Sequence, residues 1–167
     1  MAIYFDALVG TKSQPSAARI AKRLVSNFSL HYEAPAEWTP KYQLYWISII
    51  PRGMGLGVPY DDDQDCEQFG SEQANFAKDF YELIRKEDGV EVALLGWEIA
   101  DQWFDPTEEN KIVAGLTQIP DSMTSMPGLV VSEEIIETLP SRDCFLPFTN
   151  RLHWVQIDDW NFFKNPH

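Results

Sequence analysis

Hydrophobic positions recur along this chain in two rhythms, and each rhythm predicts its own elements. The longest stretch dense in strand-forming residues is Glu91–Phe104, EVALLGWEIADQWF, near mid-chain. It predicts a central strand that follows a helix stopping at Gly89. Ala2–Val9 (AIYFDALV) predicts an opening strand, and Gly10–Ser13 a turn. Pro15 suits a first helical turn, and Ala17, Ile20, Ala21, Leu24, Val25 and Phe28 follow at helical spacing, with Arg19, Lys22 and Arg23 on the opposite face. That basic face reads as a solvated surface, or as one answering acids elsewhere in the chain.

Tyr32–Pro40, with two prolines, reads as a connector. Lys41–Ile50 reads as a strand with Leu44 and Trp46 on one face and Tyr45, Ile47 and Ile49 on the other. Pro51–Gly70 (PRGMGLGVPYDDDQDCEQFG) reads as a long irregular segment, because glycines at 53, 55 and 57 and prolines at 51 and 59 oppose regular structure. Ser71 then caps a second helix whose buried stripe is Phe76, Ala77, Phe80, Leu83 and Ile84. Further on, Lys111–Thr117 reads as a strand and Asp121–Gly128 as a turn region. Leu129–Val131 leads into a helix opened by Ser132 and ended by Pro140. Cys144–Phe148 and Leu152–Ile157 read as closing strands. The strands are aromatic and irregularly spaced, and only some precede a convincing helix. The expected class is therefore α+β: one domain with a mixed, mostly antiparallel sheet and two or three helices packed on it.

Composition agrees with a folded chain: 44% hydrophobic residues and 22 aromatics among 167 residues can build a sizeable core. Two cysteines, Cys66 and Cys144, are too few for a disulfide framework. The opening residues lack a basic signal-peptide region, and no apolar run approaches the roughly 20 residues of a membrane span. A cytoplasmic protein is expected.

Charge changes the picture more. The net charge of −13 is pooled: residues 1–53 hold six basic and three acidic side chains, residues 54–110 three and sixteen, and residues 111–167 four and seven. Such a middle third repels nucleic-acid phosphates and anionic lipid and attracts cationic partners over a Debye length of about 8–10 Å.

Candidate chemistry is thin. Counting Asp61 as one, Asp63, Asp65, Glu67 and Glu72 fall at positions three, five, seven and twelve of an EF-hand-like loop. Cys66 stands where that loop needs glycine, and GMGLGVPY cannot supply the incoming helix, so a solvated or partner-facing acidic loop is the better reading. The 53–57 glycines lack the spacing of a dinucleotide fingerprint. Cys66, Cys144, Ser132, His31, His153 and His167 sit in no nucleophile signature. No catalytic residue, metal or cofactor is expected. Asp158-Asp159-Trp160 joins two charges to a large ring, a combination suited to an interface hot spot if exposed and to a core lid if folded back.

Gly128–Pro140 (GLVVSEEIIETLP) resembles a segment of immunity proteins from bacterial polymorphic toxin systems, where a strand ending in Val-Ser opens a helix. Compact size, acidity and aromatic richness are also similar to that class. The resemblance implies a binding protein whose partner is a cognate basic toxin domain. The expected contact residues are Asp61, Asp62, Asp63, Asp65, Glu67, Asp158, Asp159 and Trp160. The alternatives are a hydrolase or metal-binding enzyme using the 61–72 loop, and a scaffold using its aromatic surface.

Overall fold

The computed structural model describes residues 3–33, 37–39, 44–52, 54–56, 63–97, 126–139 and 142–160. In chain order the elements are β1 (Ile3–Thr11), α1 (Gln14–Asn27), β2 (Leu30–Glu33), β3 (Glu37–Thr39), β4 (Leu44–Pro51), β5 (Gly55–Leu56), α2 (Asp63–Ile84), β6 (Val90–Trp97), β7 (Val130–Ser132), α3 (Glu133–Ile136), β8 (Phe145–Pro147) and β9 (Leu152–Val155). The class is α+β. The main path of the sheet is β2-β4-β1-β6-β7-β9-β8, with β3 beside β4 and β5 beside β1. Every pairing among these strands is antiparallel.

The stretch expected to be central is central. All eight residues of β6 are buried, because both of its edges are paired and both of its faces are covered. Its first half begins one residue earlier than the sequence pattern implies, at Val90, and Gly96 pairs in register with Asp6 without a bend. Residues 98–104 of the expected strand, and Lys111–Thr117, lie outside the described residues.

Strand alternation sorts the side chains into two layers. Phe5, Ala7 and Val9 of β1, Ile47 and Ile49 of β4, and Ala93, Leu95 and Trp97 of β6 face α1 and α2. Leu8, Leu44, Trp46, Val92, Leu94 and Val131 form the opposite layer with Ile136 and Leu139. The split expected for β4 is therefore found. Gly10 lies opposite Trp46, whose indole would come within 3.0 Å of an added Cβ, so the ring lies against bare backbone.

Four expectations need correction. The connector at Tyr32–Pro40 contributes strand: β2 and β3 pair end to end along the same edge of β4. Residues 34–36, between them in sequence, lie outside the described residues. The irregular segment is shorter than expected, because β5 pairs Gly55 and Leu56 with β1 and α2 begins at Asp63 instead of Ser71. Glycine content alone misjudged this region, since only residues 51–59 hold the breakers, whereas Asp63–Gln68 contains none. The helix after Ser132 is one turn long, ending at Ile136. Ser132 holds its N-cap position, yet its buried hydroxyl accepts no capping bond. Finally, Val25 is exposed, so the stripe of α1 narrows to Ala17, Ile20 and Leu24 with Ala21 and Phe28 at its margin.

Candidate functional site: an acidic helix and its docked corner

Helix α2 carries Asp63, Asp65 and Glu67 of the predicted contact residues, and Trp160 packs against its later turns. Its buried stripe is Gln73, Phe76, Ala77, Phe80, Tyr81 and Ile84, spaced three or four apart as a helix on a core requires. Glu72, Asp79 and Glu82 lie on its exposed side. Asp63 and Asp65 occupy its first turn and Glu67 its second. Carboxylates at a helix N-terminus are favoured by the helix dipole, a sufficient physical reason for acids to start this helix. The continuous helix from Asp63 past Glu72 leaves no calcium-binding loop at positions three to twelve, which removes the EF-hand alignment. Among the described residues, no group of three or more His, Cys, Asp or Glu is placed to hold a metal. Asp61 and Asp62 lie outside the described residues.

Of the second predicted group, Trp160 packs on the same helix. Trp160 is partly buried, its ring 6.2 Å from Tyr81 centre to centre, with Lys78 Nζ 5.7 Å over its face. It is thus neither a free hot spot nor a fully closed lid: one side seals the edge of the core while Asp158 and Asp159 beside it remain exposed. The fold therefore brings Trp160 from far along the chain to Tyr81 of α2. Between Glu67 and Lys78 the helix advances about 16 Å, a distance one protein partner can span.

Not all the acids of the middle third face solvent. Glu87, just past the end of α2, is buried and receives Arg23 Nη1 at 3.0 Å and Arg19 Nε at 3.4 Å. Arg19 Nη2 also donates to the carbonyl oxygen of Asp88 at 2.5 Å. The basic face of α1 does answer the acidic segment, as its pattern allowed. Gly89 has φ +83° and its turn lies against Ser16, so this junction also fixes the α1–α2 geometry. Glu91 sits where the β1–β6 register slips: Gly10 pairs with Val92 and Thr11 with Val90, leaving Glu91 as a buried bulge residue. Its carboxylate is 3.7 Å from Lys12 Nζ, and Lys12 also pairs with Glu134 on α3. The hydrogen bond to Glu134 holds the Lys12 ammonium above its ordinary value, with partial burial opposing and Glu91 adding to the rise. The same bond, with the Lys12 charge, holds the Glu134 carboxyl below its ordinary value.

Among the described side chains, Ser132 and His153 do not assemble. Ser132 pairs with Leu152 and His153 with Val131, which puts the hydroxyl and the imidazole on opposite faces of the sheet. Cys144 is a reduced thiol pushed up chiefly by burial, with the Asp143 carboxylate also raising it, the reverse of an activated nucleophile. Burial likewise raises the Tyr81 phenol. The residues that sequence reading missed are Lys78 and Tyr81, which receive Trp160. The spacing Phe76–Phe80–Ile84 flanked by Gln73 and Tyr81 could have placed Tyr81 on the inner face, but nothing local pairs it with residue 160. Comparison with protein-family models, with curated proteins and with solved structures gave no match.

Proposed function

We propose that this chain is an acidic binding protein, an immunity protein that neutralises a cognate basic toxin domain by protein–protein contact. The observation that supports this reading best is that Trp160, which follows the exposed Asp158 and Asp159, packs on Tyr81 of α2, the helix whose first turns carry Asp63, Asp65 and Glu67. Acids on one rigid element act together on an approaching cation and raise its rate of encounter. Trp160, held by Tyr81 and Lys78, offers a partly immobilised ring at the margin of that charge, which lowers the ordering cost of contact. The resemblance of Gly128–Pro140 to immunity proteins points to the same class, and the bacterial cytoplasm is the compartment it implies. No helix among the described residues is long and apolar enough to cross a membrane.

The experiment is stopped-flow association with the purified basic domain encoded in the adjoining gene, across a salt series. Expected are inhibition of that domain's activity at equimolar protein and an association rate that falls steeply with salt. The combined Asp63→Asn/Asp65→Asn/Glu67→Gln variant is expected to slow association about tenfold with little change in dissociation. Absence of inhibition, or a rate indifferent to both salt and the variant, overturns the reading.

A further inference from the structure

Just past the far end of α2, about 27 Å along the helix axis from Glu67, arginines stand among the acids. A groove of about 380 Å³ opens between the turn that follows α2 and the β8–β9 turn. It is lined by Arg85, Glu87 and Asp88 from one side and Thr149, Asn150 and Arg151 from the other. In a chain of net charge −13, this groove is lined by two arginines and two carboxylates, a local balance of charge. The setting of Arg85 makes it a donor held ready. The Arg85 guanidinium lies 4.7 Å from the Phe148 ring centre and 5.5 Å from that of Trp154. A guanidinium stacked on rings keeps its in-plane N–H groups for a ligand and loses little freedom on binding one. Thr149 Oγ1 already accepts from the backbone N–H of Arg151 at 3.2 Å and of Leu152 at 3.1 Å, so its own proton is left to donate elsewhere. The Asn150 amide adds two further donors.

The opposing carboxylates are largely accounted for. Glu87 is neutralised by Arg19 and Arg23 from α1, and Glu82 takes a single contact from Arg85 at 3.3 Å. Asp88 remains at the groove, exposed to solvent, which screens it, and the exposed Glu134 lies within electrostatic reach of Arg151. Donors that come from two elements, comprising two guanidinium groups, a hydroxyl and an amide, suit a tetrahedral dianion better than a flat carboxylate, which one arginine satisfies in its own plane. We propose that this groove binds the phosphate group of a small phosphorylated ligand, at a site separate from the acidic surface of α2.

The test uses the full chain with inorganic phosphate as the probe and sodium chloride at matched ionic strength as the reference. Phosphate is expected to raise the melting temperature saturably above the chloride reference and to broaden its own phosphorus NMR line. Arg151→Gln, on an exposed turn, is expected to weaken apparent affinity about tenfold, the loss of one charge-assisted contact. Arg85→Lys keeps the charge but loses the stacked fork, and a similar loss is expected. Lys22→Gln on the exposed face of α1, outside the groove, is expected to change nothing. Equal melting curves in phosphate and chloride, full phosphate binding by Arg151→Gln, or stronger stabilisation by acetate than by phosphate would each overturn the assignment. None of these results depends on the toxin experiment, so the two readings fail separately.

Discussion

The two long helices lie on the same face of the sheet yet are attached to it by different means. Helix α1 sits close, through small and aliphatic side chains: Ala17, Ile20 and Leu24 are fully buried. Its N-terminus is fixed by Ser13, whose hydroxyl accepts the Ser16 N–H at 3.3 Å, and its outer face reaches across to Glu87. Helix α2 stands on a layer of rings. Phe76 and Phe80 stack at 6.3 Å, Phe76 meets Phe5 at 6.4 Å edge-on, and Tyr81 meets Phe148 and Trp154 at 6.3 and 5.9 Å. Such a layer gives a large contact area and also buries polar ends: neither amide atom of Gln73 nor the Tyr81 hydroxyl makes a hydrogen bond that meets ordinary geometry. One helix is anchored by charge and a cap, the other by aromatic bulk.

That contrast can be broken experimentally. Phe80→Ala removes a fully buried ring from under α2 and is expected to cost about 3–5 kcal/mol in urea unfolding. A loss no larger than that of an exposed substitution would mean that the ring layer does not hold α2. Glu87→Gln keeps the shape but withdraws the charge from Arg19 and Arg23. Both arginines are about half exposed, so solvent reduces the penalty to roughly 1–2 kcal/mol. Reversal by a further Arg19→Gln/Arg23→Gln change would confirm that the term is the α1–α2 tie and not general acidity.

The smallest effect concerns the Lys12–Glu134 pair. Folding lowers the Glu134 value, so its contribution is present above the ordinary carboxylate value of 4.5 and fades as pH falls through the lower folded-state value. Folding raises the Lys12 value, so that contribution is complete below the ordinary 10.5 and is lost as pH rises through the folded-state value. Wild type is therefore expected to melt slightly above Glu134→Gln at neutral pH. The two curves should converge in acid, at pH values beneath 4.5, and again in strong alkali. A difference that persists in acid below the lowered folded-state value would locate the effect elsewhere than in this ion pair.

Much of the fold was written locally. The apolar density of Val90–Trp97 set a strand that tolerates burial on both faces; Gly89 does adopt positive φ, but in the turn into β6 and not at the end of α2, which stops at Ile84. The alternation in β4 assigned its faces correctly, since side chains on a strand have no other option than two sides. Local rules failed where pairing decides. The dipeptide Gly55-Leu56 is strand only because Ile3 and Tyr4 offer it an edge, and Glu37–Thr39 only because β4 does.

The candidate site divides in the same way. The sequence alone determined that this protein is acidic, where along the chain the acids are pooled, and that an aromatic follows Asp158 and Asp159. Only the tertiary structure decided that Glu87 and Glu91 turn inward to meet Arg19, Arg23 and Lys12, and that Trp160 settles on Tyr81 of α2. Composition fixes how much charge a chain carries. Where the charge points depends on partners brought from far along the chain, because an ion pair or a ring contact forms between elements that share no sequence neighbourhood.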